Sequence, residues 1–293
     1  MSSPGGDEPA QSSPVPRTRH SDVPFVVGLS VIAGTYVLLL LGLLLADVVY
    51  ISQPLPSHDG KTLGLMDHLN SVFGDEYIRY SIRLTLVSCF FTAIASVLIA
   101  APTGYLLSRY RFPMRSLLDA ILDIPIVLPP LVVGLSLLIL FQFAPDPIKA
   151  RVVYGVPAVI IAQLTVSAAF AIRVMRATFD QLDPRLEQVA LTLGCSRFDA
   201  FFRIVLPQAT GGMLTAATLA WARALGEFGP LLIFAGATRG KTEVLSTTVF
   251  LEFSIGNLSG AVVVSLLMVS AAVIVLLVAR WFGPKDHSGM QIY

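Results

Sequence analysis

The sequence predicts an all-α fold, a polytopic membrane protein with six transmembrane helices, and three observations predict it. Of the 293 residues, 55% are hydrophobic and only 13% are charged, against roughly 25% charged in an average soluble chain. Six stretches, at about 23–50, 82–107, 117–143, 152–175, 209–235 and 260–282, reach the ~20 mostly apolar residues that a helix needs to cross a hydrocarbon core. Lys and Arg are distributed unevenly over the intervening segments, as the positive-inside rule requires.

Several function classes drop out early. A net charge of +1 offers no dense basic face for nucleic acid. Cys89 and Cys195 are far apart and form neither a disulfide framework nor a zinc spacing. His20, His58, His68 and His287 lie outside the apolar runs, read as solvated loop residues, and make no HExxH pair. No metal ligands and no catalytic residues are expected, because no cluster of His, Cys or carboxylates gathers at an interface. No GxxxxGK[ST] run is present to hold ATP.

The first apolar run is far longer than the 7–15 residues of a signal-peptide core, so it reads as a retained span. Residues 1–22, rich in Ser, Pro and Gly, read as a disordered tail, and 284–293 as a short second tail. With the N-terminus in the cytoplasm, inner segments collect Arg17, Arg19, Arg109, Arg111, Arg115, Arg173, Arg176, Arg185, Arg197, Arg203, Arg280 and Lys285. Outer segments and span ends hold Lys61, Arg79, Arg83, Lys149, Arg151, Arg239 and Lys241. The twelve-to-seven excess places both termini in the cytoplasm, together with segment 183–207.

That segment differs from its surroundings: charged and polar residues interrupt it about every third position. Asp183 followed by Pro184 reads as an N-cap and an N1 proline. Leu186, Val189, Ala190 and Leu193 form one apolar stripe at i, i+3, i+4 and i+7. Gly194 suits a left-handed C′ position. Ser196 and Asp199 then read as a capping box opening a second helix, with Phe198, Phe201, Phe202 and Val205 on its stripe and Pro207 closing it. A pair lying on the lipid surface usually carries many basic residues on its polar face. The first helix offers only Arg185, beside Glu187 and Gln188, so a hairpin aimed at a protein partner fits better.

The spacing Gln188-Val-Ala, three residues, Gly194, nine residues, Ile204-x-Leu206-Pro207 resembles the EAA loop of permease subunits of ATP-binding-cassette importers. Gln188 stands where that family usually has Glu, and Val189 where it has Ala; Glu187 lies one residue early. The resemblance implies a type I importer permease architecture. It also implies that Glu187, Gln188, Val189, Ala190, Gly194, Ser196, Phe198, Phe201, Ile204, Leu206 and Pro207 couple to a separate ATPase. ATP and Mg would then sit on that partner, with no cofactor on this chain. The expected assembly is a permease homodimer with two ATPase subunits and an extracytoplasmic solute-binding protein, in the lipid of a bacterial or archaeal cytoplasmic membrane. The first span lies outside the five-span core typical of the fold and is expected to wrap the outside of the dimer.

The runs RALGEFG (223–229), DIPIVLPPLVVGLSLL (123–138) and 234–261 resemble permeases for molybdate, tungstate and sulfate, and the likeness covers roughly 80–282. Pro230 stands where relatives often have Ala, and Gly236-Ala237 where they often read Gly-Asn. In span five Ala216, Ala217, Ala220, Ala222, Ala224, Gly226 and Gly229 are small, which lets helices approach closely. Arg223 and Glu227, at i and i+4, are expected to share a helix face. Charges at membrane depth face a bundle interior or a watery cavity, so the pair either locks packing or, with Phe228, Pro129 and Pro130, lines or gates a path. Pro125, Pro129 and Pro130 break span three, as a kink or as a cargo contact. Asp119 and Asp123 would repel an oxyanion and are expected to cap helices or pair with inner arginines. Gln163, Thr165 and Ser167 are expected to bond between helices.

The leading expectation is therefore an oxyanion importer subunit for molybdate or tungstate, with sulfate or thiosulfate as the alternative. An ion-coupled secondary transporter is a more distant alternative, because no internal repeat partners the Pro-broken third span.

Overall fold

A computed structural model describes residues 23–52, 55–56, 62–63 and 74–282. The expected terminal tails and His20, His58, His68 and His287 lie outside those residues. The chain divides into two units, Met1–Val48 and Val49–Tyr293. In the first unit the described residues belong to α1 (Val23–Ser52), a helix apolar all round. Its most apolar window is exposed along its whole length. Uniform hydrophobicity of this kind suits a lipid environment rather than one buried face.

Among its described residues the second unit is helical apart from connecting turns and a two-residue antiparallel pair, β1 (Leu55–Pro56) and β2 (Thr62–Leu63). In order come α2 (Glu76–Arg109), α3 (Arg115–Val127), α4 (Pro130–Gln142), α5 (Asp146–Val152) and α6 (Val156–Gln181). After them come α7 (Pro184–Thr192), α8 (Arg197–Ala200), a π-helical turn (Phe201–Val205), α9 (Leu206–Gln208) and α10 (Thr210–Leu225). A second π-turn (Leu231–Ala235), α11 (Leu245–Ser254) and α12 (Leu258–Phe282) complete the unit.

The bundle is built around α2, α6 and α10, and its packing inverts the soluble pattern. The buried stripe of α2 includes Ser81, Thr85, Ser88, Thr92, Ser96, Ala100 and Gly104, while Phe90, Phe91 and Leu98 point outward. Lipid tails are as apolar as Leu, so nothing drives large apolar groups inward, and small residues are favoured where helices touch. At Gly104 the backbones approach closely: an added Cβ would sit 2.8 Å from the Arg176 backbone nitrogen. One core, with Leu107, Ile172, Met175, Phe179, Val205 and Ala216, lies toward α7; another, with Leu84, Val159, Leu231 and Phe234, lies toward α11.

Two of the six expected spans are not single helices. Among the described residues, four helices (α1, α2, α6 and α12) are long and apolar enough to cross a membrane, and α3 with α4 makes a fifth only as a pair bent by 112°. The bend follows from consecutive prolines: Leu128 and Pro129 are both extended, at ψ 141° and 133°, because a residue before proline is driven out of the α region. Predicted span five (209–235) is also not continuous. The 16-residue helix α10 stops at Gly226 and the chain leaves helical geometry before the π-turn at Leu231–Ala235.

Candidate functional site

Two features hold the candidate site residues: the loop around α7 and α8, and the place where the two broken spans meet. The first forms largely as the sequence predicts. The Asp183 side chain accepts the Arg185 N–H at 2.9 Å, with Pro184 at N1. Gly194 has φ +89°, its N–H bonds the Leu191 carbonyl at 3.1 Å, and the Cys195 N–H bonds the Ala190 carbonyl at 3.1 Å. Those two bonds make a Schellman cap. Ser196 accepts the Asp199 N–H at 3.1 Å, but the reciprocal half of the expected capping box is replaced by a hydroxyl-to-carboxylate bond from Ser196 to Asp199.

The expected apolar stripes split into an outward and an inward set. Leu186, Val189 and Leu193 of the first stripe are 51%, 55% and 79% exposed, and only Ala190 is buried. In the second, the π-turn shifts the register. Phe198 and Phe202 pack with tilted rings 4.5 Å apart and face outward, while Phe201 and Val205 turn into the core. Gln188, Ser196 and Pro207 are exposed, and Ile204 and Leu206 are half-buried. Glu187 turns the other way. Its carboxylate accepts a short hydrogen bond from the Tyr105 hydroxyl and lies 3.7 Å from Arg109 Nε. Arg109 also donates to the Leu182 carbonyl at 2.9 Å, and Tyr105 packs against Phe179 and Phe201. Neither Tyr105 nor Arg109 stood out in the sequence, since nothing local marks a partner 82 residues away.

At the second feature, the two chain breaks interlock. A Cβ on Gly134 would meet Pro230 Cα at 2.8 Å, and one on Gly229 would meet Pro130 Cβ at 2.7 Å. Each break thus presents a glycine to the other's proline, which brings Pro129 and Pro130 next to the turn carrying Glu227 and Phe228. Arg223 Nη2 lies 3.4 Å from Glu227 Oε2, with Arg223 one-third exposed and Glu227 buried. The pair does not share a helix face as its spacing predicts, because α10 ends between the two residues; the turn folds Glu227 back instead. The Arg223 guanidinium sits 5.6 Å from the Phe170 ring centre, and neither Glu227 carboxylate oxygen has a hydrogen-bond donor among the described residues. The turn is tethered to α11 by Ser246, which donates to the Glu227 carbonyl at 2.6 Å, and by Phe228, whose ring packs tilted against Phe250.

Other expectations divide. Asp119 pairs with Arg176 and Asp123 with Arg173, so both aspartates tie α3 to α6. Gln163 joins three helices, accepting from Thr92 and donating to the Ala224 carbonyl, each at 3.2 Å. Thr165 instead bonds its own helix at Ile161, and the buried Ser167 hydroxyl has no partner among the described residues. The run AGATRGKT (235–242) is one letter from a phosphate-binding loop. The N–H groups of Lys241, Thr242 and the following Glu243 all bond the Thr238 carbonyl, so these three do not form a nest for an anion.

Comparison with known proteins is consistent with this architecture. Residues 96–285 match the family described as binding-protein-dependent transport system inner membrane component. The chain belongs to that family. It is 33% identical over 241 residues to the molybdate/tungstate transport system permease protein WtpB of Thermococcus kodakarensis, covering 82% of this chain and 93% of that protein. It is 31% identical to the sulfate transport system permease protein CysT of Salmonella typhimurium, covering 66% and 72% respectively. In structure it resembles a chain of the bacterial alginate ABC transporter in complex with an alginate pentasaccharide-bound periplasmic protein. The TM-score is 0.70 at 16% identity, over 89% of this chain and 93% of that one, a likeness of fold alone. It is a permease subunit of an ABC transporter and not itself an enzyme.

Proposed function

We propose that this chain is the membrane subunit of an ATP-driven importer for a tetrahedral oxyanion, molybdate or tungstate in the first place. The observation that carries this reading is the apolar face of Leu186, Val189, Leu193, Phe198 and Phe202, held rigidly outward by three helix caps. A capped hairpin with such a face is a ready knob for a partner's groove, and clusters of exposed apolar residues mark interaction sites. The partner is an ATPase that carries ATP and Mg on the cytoplasmic side, where both termini also lie. Two such subunits work on a permease homodimer, which takes cargo from an extracytoplasmic binding protein.

In this reading the crossing of the broken spans is the gate of an alternating-access path. Arg223 is its cationic element, since a guanidinium fork matches an oxyanion's geometry. Glu227 neutralises Arg223 when no oxyanion is present, and an arriving anion competes with it. Relatedness to the molybdate/tungstate permease extends over more of both chains than relatedness to the sulfate permease, which favours the former cargo. Sulfate is the second reading, because the two identities are nearly equal.

The test is uptake of molybdate, tungstate and radiolabelled sulfate by a deletion strain with and without this chain restored. Loss and recovery of molybdate or tungstate uptake at low concentration, with sulfate unchanged, is the expected result. A change confined to sulfate would transfer the cargo assignment, and no change in any of the three would remove the oxyanion reading.

A further inference from the structure

Helix α7 carries two adjacent polar residues with opposite fates. One step along a helix turns about 100°, so Gln188, in the acidic position of the loop motif, faces outward while Glu187 faces the bundle. The inward face of α7 has little else to hold it: its one buried apolar residue is Ala190. Among the described residues, Glu187 alone joins α7 by a hydrogen bond or ion pair to a membrane-crossing helix, through Tyr105 and Arg109 of α2.

The receiving end is stiff. Tyr105 is wedged against Phe179 at 5.7 Å and Phe201 at 4.7 Å, and the neighbouring Gly104 lies flush on the α6 backbone at Met175 and Arg176. Some 30 Å away along the helix, Thr85 of α2 accepts the Leu245 N–H at 2.9 Å. Leu245 begins α11, whose next residue, Ser246, holds the Glu227 carbonyl. A continuous set of bonded, close-packed elements therefore runs from Glu187 to the turn at the crossing of the broken spans.

We propose that Glu187 is a positioning residue that transmits movement of the docking loop into α2, through the Tyr105 hydroxyl and the Arg109 guanidinium, rather than a contact with the ATPase. This rests on the reading of the loop as the ATPase-docking element. The Arg109–Glu187 pair, at 3.7 Å, has room to close to a hydrogen bond as α7 is displaced.

The experiment uses the complete complex of permease, ATPase and binding protein in proteoliposomes. It reads ATPase retained on purification and the stimulation of ATP hydrolysis by cargo-loaded binding protein. Val189→Asp, on the outward face, is expected to strip the ATPase from the complex; if the ATPase stays, the docking reading fails and this inference falls with it. With docking so established, Glu187→Ala is expected to keep the ATPase but lose stimulation roughly five-fold or more, the scale of a lost coupling interaction. Tyr105→Phe, which keeps the ring and removes only the hydroxyl, is expected to act in the same direction. The double variant should be no worse than Glu187→Ala, since both act on one link. Continued shielding of the buried Cys89 thiol, read on the purified permease in a Cys195→Ser background because Cys195 is exposed, controls for unfolding in every variant. Loss of the ATPase from Glu187→Ala would make Glu187 a docking contact and overturn the proposal. Full stimulation in both single variants would overturn it as well.

Discussion

Replacing Gly229 by Ala tests whether the two broken spans bear directly on each other. The new Cβ would lie 2.7 Å from Pro130 Cβ, 2.8 Å from Pro130 C and 2.9 Å from Leu131 N. Ordinary contact begins at 3.4 Å, so the crossing must open by about half an ångström or more, and no rotamer can absorb it because two of the three neighbours are backbone. Overpacking of this kind costs about 1–3 kcal/mol. Gly134→Ala is the informative companion. Its Cβ meets Pro230 Cα at 2.8 Å, but Gly134 lies inside α4, where Ala gains about 1 kcal/mol of helix propensity. Gly229→Ala is therefore expected to destabilise more than Gly134→Ala. The double variant should lose less than the sum, because one opening relieves both clashes. Thermal unfolding is read with a thiol-reactive dye on a Cys195→Ser background, since Cys89 is fully buried and Cys195 exposed. A loss of 1 kcal/mol lowers the midpoint by about 2–4 °C in a chain of this size. Gly229→Ala melting with the unchanged protein, or strictly additive losses in the double variant, would refute the interlocked crossing.

Three further outcomes are expected. Gly194→Ala has open space for its Cβ but must hold φ +89°, which costs about 1–2 kcal/mol in the left-handed region; it should loosen the loop, measured as faster limited proteolysis there with the dye-monitored midpoint nearly unmoved. Gln163→Leu leaves the Ala224 carbonyl and Thr92 hydroxyl without the partners they have now and should cost about 1 kcal/mol in the same dye assay. Burial raises the Glu243 carboxyl above its ordinary value of 4.5. Its contribution to stability is full below 4.5, and is lost as pH rises through the folded-state value. Glu243→Gln should therefore match the unchanged protein at low pH and melt higher near pH 8, and a constant offset across pH would contradict that sign.

The sequence by itself determined whatever depends on short-range chemistry. The Asp183–Pro184 and Ser196 starts are each set by a side chain and a backbone N–H within three residues, and the Gly194 stop by a residue without a Cβ and backbone bonds spanning at most five, so a local pattern suffices to read them. Helix existence is likewise legible wherever an apolar run continues without interruption, as in α1, α2, α6 and α12. The proline pair also marks the break at Leu128–Pro129, but only the tertiary structure decided that the fifth apolar run stops being one helix at Gly226. Hydropathy is the same for a straight span as for one broken at Gly226, because the lipid-facing side chains do not change. The breaks persist because Gly134 meets Pro230 and Gly229 meets Pro130, partners about 100 residues apart in the chain. The opposite turns of Glu187 and Gln188 have the same origin. Both are polar, adjacent and equally at home on an exposed helix, and only the Tyr105 hydroxyl and Arg109 guanidinium, placed there by the packing of α2 on α6, distinguish them.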